Sequence, residues 1–359
     1  MPVGKESRPL APQRRPTITD VARRAGVSKG AVSFALNGRP GVADSTRARI
    51  LASARELGWV PDHRAQALSR SRALAMGWVI ARPPRLLGAD PFFPLFLAGL
   101  ETRLSEAGRA LVLHVVEGGP EAEAVVYRRL AAGRADGVFL TDLCANDPRF
   151  DLVEQLQIPA LGVGRPCDPQ RLPWVGIDDG VGALAAVRHL VELGHRRIAH
   201  VQGVPGLVHT TSRRRAWETA LREAGIPLGP MVTGNFDGLQ GAEATRSLLA
   251  WDPRPTAIVY ANDLMAIAGM QVLAVEGIRV PQDISVVGFD DVAVAPLLHP
   301  PLTTVRHDVM AWGRAAASSL LAITDGEDPF TGWLDPAELV VRDSTAPPPT
   351  RLLSTTPKD

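Results

Sequence analysis

From Leu74 onward the chain alternates short apolar runs with stretches of helical period, and this alternation is the strongest constraint on its fold. LAMGWVIA (74–81), ALVLHVV (110–116), DGVFLT (136–141) and IPALGV (158–163) read as strands, with helical patterns at about 95–107, 121–132 and 149–156 between them. The alternation then restarts with WVGID (174–178) and a helix at about 180–193 that carries Leu184, Val187 and Val191 on one face. RIAHVQG (197–203), MVTGNF (231–236), TAIVYAND (256–263) and ISVVGFDD (284–291) follow, separated by helices at 212–224, 239–250 and 263–276. Strands alternating with helices build parallel α/β sheets, and two successive runs predict two similar lobes. The seam falls near 176–179, and PPLTTVRHD (300–308) reads as a crossing back to the first lobe. Ligands of open α/β sheets bind beyond the carboxyl ends of strands, so two facing lobes would surround one cleft. The strand ends carry Phe92-Phe93, Phe236, Asn262-Asp263 and Asp290-Asp291. Each pair alone is ordinary loop chemistry; as a set they predict a small-molecule site.

Ahead of this body stands TDVARRAGVSKGAVSFALNGRPGV, starting at Thr19. Thr17-Ile-Thr-Asp20 reads as a capping box. Val21, Ala22 and Ala25 give the helix that follows an apolar face, and Gly26 stops it at a position that needs positive φ. Ser28 caps a second helix through about Leu36, with Val32, Ala35 and Leu36 buried. A third helix runs from about Asp44 to Leu57, with Ile50, Leu51, Ala54 and Leu57 inside. Two short helices joined by a tight glycine turn and closed by a third make a helix-turn-helix, whose second helix protrudes far enough to enter a major groove. Ordinary helical hairpins share this look, so charge has to discriminate. Residues 1–70 hold 13 Lys+Arg against 5 Asp+Glu, and the remainder 26 against 33. A basic head on an acidic body points to nucleic acid at the head. GWVPDHRAQALSRSRA, from Gly58, breaks at Pro61 and offers Arg64–Leu68 as a helical turn too poor in apolar residues to stand alone. Such a segment folds on meeting DNA.

Other chemistries find no support. GVGRPC (162–167) has two of the three glycines of a dinucleotide loop, and no Walker loop, GxSxG or HExxH occurs. The eight histidines form no metal-ligand cluster, and His195 fits a turn better than a catalytic site. Asp178-Asp179 and Asp290-Asp291 are adjacent carboxylates, which point apart more often than they converge on a metal. No cofactor is expected, nor an enzyme. No apolar run spans a bilayer, and the two cysteines, Cys144 and Cys167, fit a reducing cytosol. The first sixteen residues carry charges and prolines but no apolar core of a signal, so a disordered basic arm in a cytoplasmic protein is expected.

ITDVARRAGVSKGAVSFALNGRPGVADSTRARILASARELGWVP (18–61), followed by RAQALS, resembles the head and hinge of the lactose-repressor/galactose-repressor (LacI/GalR) family of transcription regulators. The resemblance implies that Ser28, Lys29 and Gly30 open the recognition helix, with Lys29 and Gly30 at base-reading places and Ser33 and Phe34 a turn further on. It places Thr17, Ser28, Asn37 and Thr46 at phosphates, and Ala65 and Leu68 in the minor groove, Leu68 as an apolar wedge. Ala31, Phe34 and Ala43 depart from the family pattern, so operator sequence does not carry over. DPFFPLFLAGLETRLSEAGRALVL, HLVELGHRRIAHVQG, YANDLMAIAGMQVL, PQDISVVGFDD and PPLTTVRHD resemble, in order, the same family's effector region, which is similar to periplasmic sugar-binding proteins. By position, Phe92 and Phe93 would stack on the effector, Arg213 pair with its polar or anionic groups, Phe236 form an apolar wall, and Asn262 and Asp290 hydrogen-bond to it. Arg215 and Ala216 stand where the family has small residues.

The expected organisation is therefore a disordered arm (1–16), an all-α helix-turn-helix head (17–62), a hinge helix (63–72), a two-lobed periplasmic-binding-protein-like effector domain with parallel sheets (73–343) and a disordered Pro- and Ser/Thr-rich tail (344–359). Lobe one takes about 73–177 and 305–333, and lobe two about 178–304 and 334–343. The expected partners are a double-stranded operator, a sugar or sugar derivative, and a second copy of the chain, because one head covers a half-site. The competing reading, a cytoplasmic binding module with no DNA role, leaves the helix-turn-helix and hinge without a use.

Overall fold

A computed structural model describes residues 16–36, 40–59 and 72–350, in two compact units divided at Arg72. The arm (1–15), most of the hinge, and with them Asn37, Ala65 and Leu68, lie outside the described residues.

In the head, α1 (Ile18–Ala25), α2 (Lys29–Leu36) and α3 (Asp44–Glu56) close on Val21, Ala22, Ala25, Val32, Ala35, Ile50 and Ala54. The Asp20 carboxylate accepts the Thr17 amide at 2.9 Å and the Thr17 hydroxyl at 2.7 Å, which anchors the start of α1. Gly26 sits at φ 64°, and the amides of Gly26 and Val27 turn back to the carbonyls of Arg23 and Ala22. Those bonds satisfy carbonyls that the helix end leaves open. Two arginines also serve the fold: Arg49 Nε donates to Ala25 O at 3.1 Å, and Arg47 Nη1 to Ala35 O at 2.6 Å, each at a helix C-terminus where a cation is favoured. Leu51, expected inside, is 36% exposed. The adjacent Ile50 faces the core, and Ser53, bonded to its own helix at Arg49 O, takes the remaining inner position.

The body contains two parallel sheets. The first has the order β11-β5-β4-β3-β1-β2, from β1 (Ala75–Ile80), β2 (Ala110–Val115), β3 (Gly137–Leu140), β4 (Ala160–Val163), β5 (Trp174–Gly176) and β11 (Gly332–Trp333). Helices α4 (Pro84–Ala89), α5 (Phe92–Glu106), α6 (Gly119–Ala131), α7 (Arg149–Gln155) and α12 (Val309–Asp325) accompany it. The second has the order β7-β6-β8-β9, from β6 (Ile198–Gln202), β7 (Met231–Thr233), β8 (Ala257–Tyr260) and β9 (Ser285–Val287), with helices α8 (Asp179–Glu192), α9 (Val208–Glu223), α10 (Gly238–Leu249) and α11 (Asp263–Val275). β1 and β3 are wholly buried, which is what continuous apolar runs in a parallel sheet require. The antiparallel pair of β10 (Thr304–Arg306) and β12 (Glu338–Val340) carries the chain between the lobes.

Helices α5 and α12 cross backbone to backbone. A Cβ on Gly313 would lie 2.5 Å from Phe96 O, 2.9 Å from Leu100 N and 3.0 Å from Gly99 Cα, so only glycine permits the approach. This crossing holds the N-terminus of α5, and hence Phe92 and Phe93, in place.

The segment after 343 is not a loose tail as far as residue 350. Ser344 is buried; its Oγ accepts Thr303 N at 2.7 Å and donates to Val286 O at 2.6 Å. Ala346 O receives His195 Nε2 at 2.8 Å, and His189 Nε2 meets Thr345 Oγ1 at 2.9 Å. Its polar composition supplies partners for buried groups of lobe two, and those bonds order it. No helix among the described residues is long and apolar enough to cross a membrane.

Candidate functional site

The two lobes enclose a cleft of about 640 Å³. Phe92, Phe93, Arg213, Phe236, Asn262 and Asp290 all line it, so the six positions read from the sequence meet in one cavity. Phe92 and Phe93 open α5 on lobe one; Phe92 stacks on Phe96 at 5.4 Å and meets Trp312 edge-on at 5.8 Å. Phe93 is buried beneath, 6.3 Å from Trp78. Asn262 caps α11, its Oδ1 accepting Met265 N at 3.0 Å, while its Nδ2 reaches Phe236 O at 3.4 Å. Asp290 lies 3.3 Å from His307 Nε2.

Arg213 is buried and already matched. Its Nε and Nη2 donate to Asp179 Oδ1 at 3.2 and 2.7 Å, its Nη1 donates to Ala261 O, and its guanidinium lies 3.6 Å from the Phe289 ring centre. With five N–H donors, it keeps capacity for a ligand hydroxyl, but its charge is answered within the protein.

Further lining residues did not stand out in the sequence. Arg82 and Asp142 follow the ends of β1 and β3 and form a bidentate pair at 2.7 and 2.9 Å. Burial would raise the Asp142 carboxyl, but the Arg82 guanidinium overrides this and holds it at about 2. Burial, with Asp290 nearby, pushes Asp90 up to about 7. Burial also lowers His209 to about 4, so a neutral imidazole sits 5.3 Å from the Phe236 ring. Trp312 and Trp333 complete the wall. The strand-end rule would have reached Arg82 and Asp142; no pattern marked the tryptophans.

Asp142 (φ 53°), Phe236 (φ 60°) and Asp290 (φ 116°) line the cleft in left-handed backbone conformations that side chains disfavour. Strain of this kind concentrates at ligand sites, where surrounding structure enforces it. Contacts also cross between the lobes: Arg85 pairs with Asp237 at 2.9 Å, Val208 N donates to Leu143 O at 2.8 Å, and the Arg82 guanidinium lies 5.5 Å from the Phe236 ring centre.

In the head, Ser28 Oγ accepts Ala31 N at 3.1 Å and fixes the start of α2. Ser28, Lys29 and Gly30 are exposed there, Ser33 is half-buried, and Phe34 is 42% exposed with its ring over Gly41. Thr17 is exposed, and Thr46 is half-buried on α3. Among the described residues no group of three or more His, Cys, Asp or Glu could hold a metal ion.

A helix-turn-helix followed in the chain by two α/β lobes around a ligand-sized cleft defines a DNA-binding protein with an effector-binding domain. Residues 17–62 match the family model "Bacterial regulatory proteins, lacI family", and residues 187–345 match "Periplasmic binding protein-like domain". The HTH-type transcriptional regulator CelR of Thermobifida fusca is 35% identical over 338 residues, 92% of this chain and 99% of that protein. AglR of Rhizobium meliloti is 35% identical over 348 residues, 93% of this chain and 95% of the relative. Among solved structures, the CelR–cellobiose complex aligns over 92% of this chain and 100% of its own at 33% identity and a TM-score of 0.71. The Lac repressor dimer bound to operator and the anti-inducer ONPF aligns over 93% and 100% at 29% identity and a TM-score of 0.80. The chain belongs to the LacI family of bacterial transcriptional regulators, and is a DNA-binding regulator rather than an enzyme.

Proposed function

We propose that this regulator is a cytoplasmic repressor that binds an inverted-repeat operator as a homodimer, under the control of a carbohydrate held between its lobes. The observation that carries the reading is the convergence of Phe92, Phe93, Arg213, Phe236, Asn262 and Asp290 on one cleft lined by both lobes. Aromatic faces with a few convergent acceptors and donors suit a polyol. Phe92 packs on the effector with Phe93 behind it, Phe236 closes the opposite wall, and Asp290, Asn262 and the remaining Arg213 donors hydrogen-bond to it.

At the DNA, Lys29, Gly30, Ser33 and Phe34 face the major groove, with Ser28, Thr17, Asn37 and Thr46 toward phosphates and Ala65 and Leu68 in the minor groove. In this reading Lys29 contacts guanine O6 and N7, and Phe34 a thymine methyl. Two-fold symmetry of the protein then matches two half-sites. The effector shifts the population of DNA-competent dimers by binding one arrangement of the lobes better than the other.

Selection of bound sequences from randomised duplex DNA tests this with the full-length protein. Enrichment of an inverted repeat with a deformable central step is expected. A single ungapped half-site, or no preference at all, would contradict the dimeric-repressor reading.

A further inference from the structure

The cleft exceeds what one sugar ring needs. A single hexose, about twelve heavy atoms each taking no more than a water's ~30 Å³, fills at most ~360 Å³, whereas the cleft holds about 640 Å³. Besides Phe236, its aromatic lining includes two separate groups. The inner group is Phe92 with Trp312, backed by the buried Phe96. The outer one is Trp333, on the edge strand β11, which meets the buried Trp174 edge-on at 4.9 Å. No ring contact among the described residues joins the two groups.

Trp333 is a built platform rather than a stray surface ring. Trp174 supports it, and Gly176 makes room for it: a Cβ at Gly176 would lie 3.0 Å from the indole and 3.1 Å from Gly164 Cα. The indole is 43% exposed and lines the cleft. A rigid, amphipathic indole in such a position suits the apolar C–H face of a pyranose. The inner cations of the cleft are matched, Arg82 by Asp142 and Arg213 by Asp179, while the exposed Arg165 and Arg215 also line it.

We propose that the effector is a saccharide of two or more rings, with one ring at Phe92 and Trp312 and the next seated on Trp333. This rests on the carbohydrate reading above and assigns Trp333 as the residue that selects length. The test is calorimetric titration of the full-length protein with glucose and the disaccharides cellobiose, maltose, lactose and trehalose. At least one disaccharide is expected to bind about tenfold more tightly than glucose, as one added stacking contact of about 1.4 kcal/mol implies. Trp333→Ala should remove that gain and leave glucose binding unchanged, while Trp333→Phe, which keeps a stacking face, should restore most of it. Thermal melts of both variants separate a lost platform from a misfolded β11. Glucose binding as tightly as every disaccharide, or an unaffected Trp333→Ala, overturns the proposal and leaves the carbohydrate reading standing. Binding of none of the five overturns both readings.

Discussion

Replacing Arg82 by Met asks whether its charge serves the fold or is held in reserve for a ligand. Arg82 and Asp142 have side-chain exposures of 11% and 26%, and their contact is bidentate. Removing one member of such a pair leaves a carboxylate poorly hydrated, which costs about 3–5 kcal/mol. For a body of this size, each kcal/mol moves the melting temperature by roughly 2–4 °C, so a fall of roughly 6–20 °C is expected at pH 7. The sign of the pH dependence follows from Asp142, which Arg82 holds at about 2 against burial. An acid depressed below its unfolded value of about 3.9 contributes stability above that value and loses it as pH falls toward the folded one. Without Arg82 that contribution is gone, so the gap between mutant and wild type is largest near neutrality and narrows between pH 4 and pH 2. The double variant Arg82→Met/Asp142→Leu replaces both charges with apolar groups and should recover most of the loss. Differential scanning calorimetry of the single and double variants, combined with disaccharide titration, decides the matter. A single variant that costs less than about 1 kcal/mol would refute the claim that the charge is matched internally. So would a double variant that folds normally yet loses sugar binding a hundredfold.

Three other outcomes follow from the same geometry. Gly313→Val forces apart the crossing of α5 and α12, where a Cβ would already be 2.5 Å from Phe96 O, and should destabilise the body by about 1–3 kcal/mol in urea unfolding; an unchanged midpoint would show that the crossing yields. Burial and Asp290 raise Asp90 to about 7, so its ionisation opposes folding above that pH and the body gains stability as pH falls from about 8 toward about 4; Asp90→Asn should flatten part of this trend in thermal melts, and a mutant with the full wild-type slope would contradict it. Ser344→Ala leaves the buried Thr303 amide without its partner at 2.7 Å, at a cost of about 1–3 kcal/mol, and a neutral result would mean that the docked segment adds nothing.

Much of this organisation was legible before any coordinates. The capping residues Thr17 and Ser28 and the stop at Gly26 locate α1 and α2 to within a residue, because each acts through local backbone chemistry. The alternation of the body gives both parallel sheets, since apolar runs in that context must be covered on both faces. Where local chemistry does not decide, reading falters. Ile50 and Leu51 are neighbours of equal hydrophobicity on α3, and only tertiary packing chooses the first. Helix α12, with its run of small residues AAASSLL, went unread together with Trp312 and Trp333. The close approach to α5 is made just ahead of that run, at Gly313. The segment after 343 has the composition of a disordered tail, but composition does not register that Ser344 and Thr345 meet buried partners on lobe two. The cleft was reached by position at Phe92, Arg213 and Asp290, whereas the Arg82–Asp142 pairing depends on two strand ends meeting in space.

The most direct test of ligand-controlled DNA binding is a reciprocal titration. Operator affinity of the full-length protein would be measured by fluorescence anisotropy with and without the saturating disaccharide, and disaccharide affinity by calorimetry with and without saturating operator. Linkage requires the two ratios to be equal, and a coupling of roughly 5–150-fold is the usual range. The expected result is one common factor, lost in Trp333→Ala at sugar concentrations that saturate only the wild type. Operator and sugar affinities that are each indifferent to the other ligand would contradict the account, however tightly either one binds.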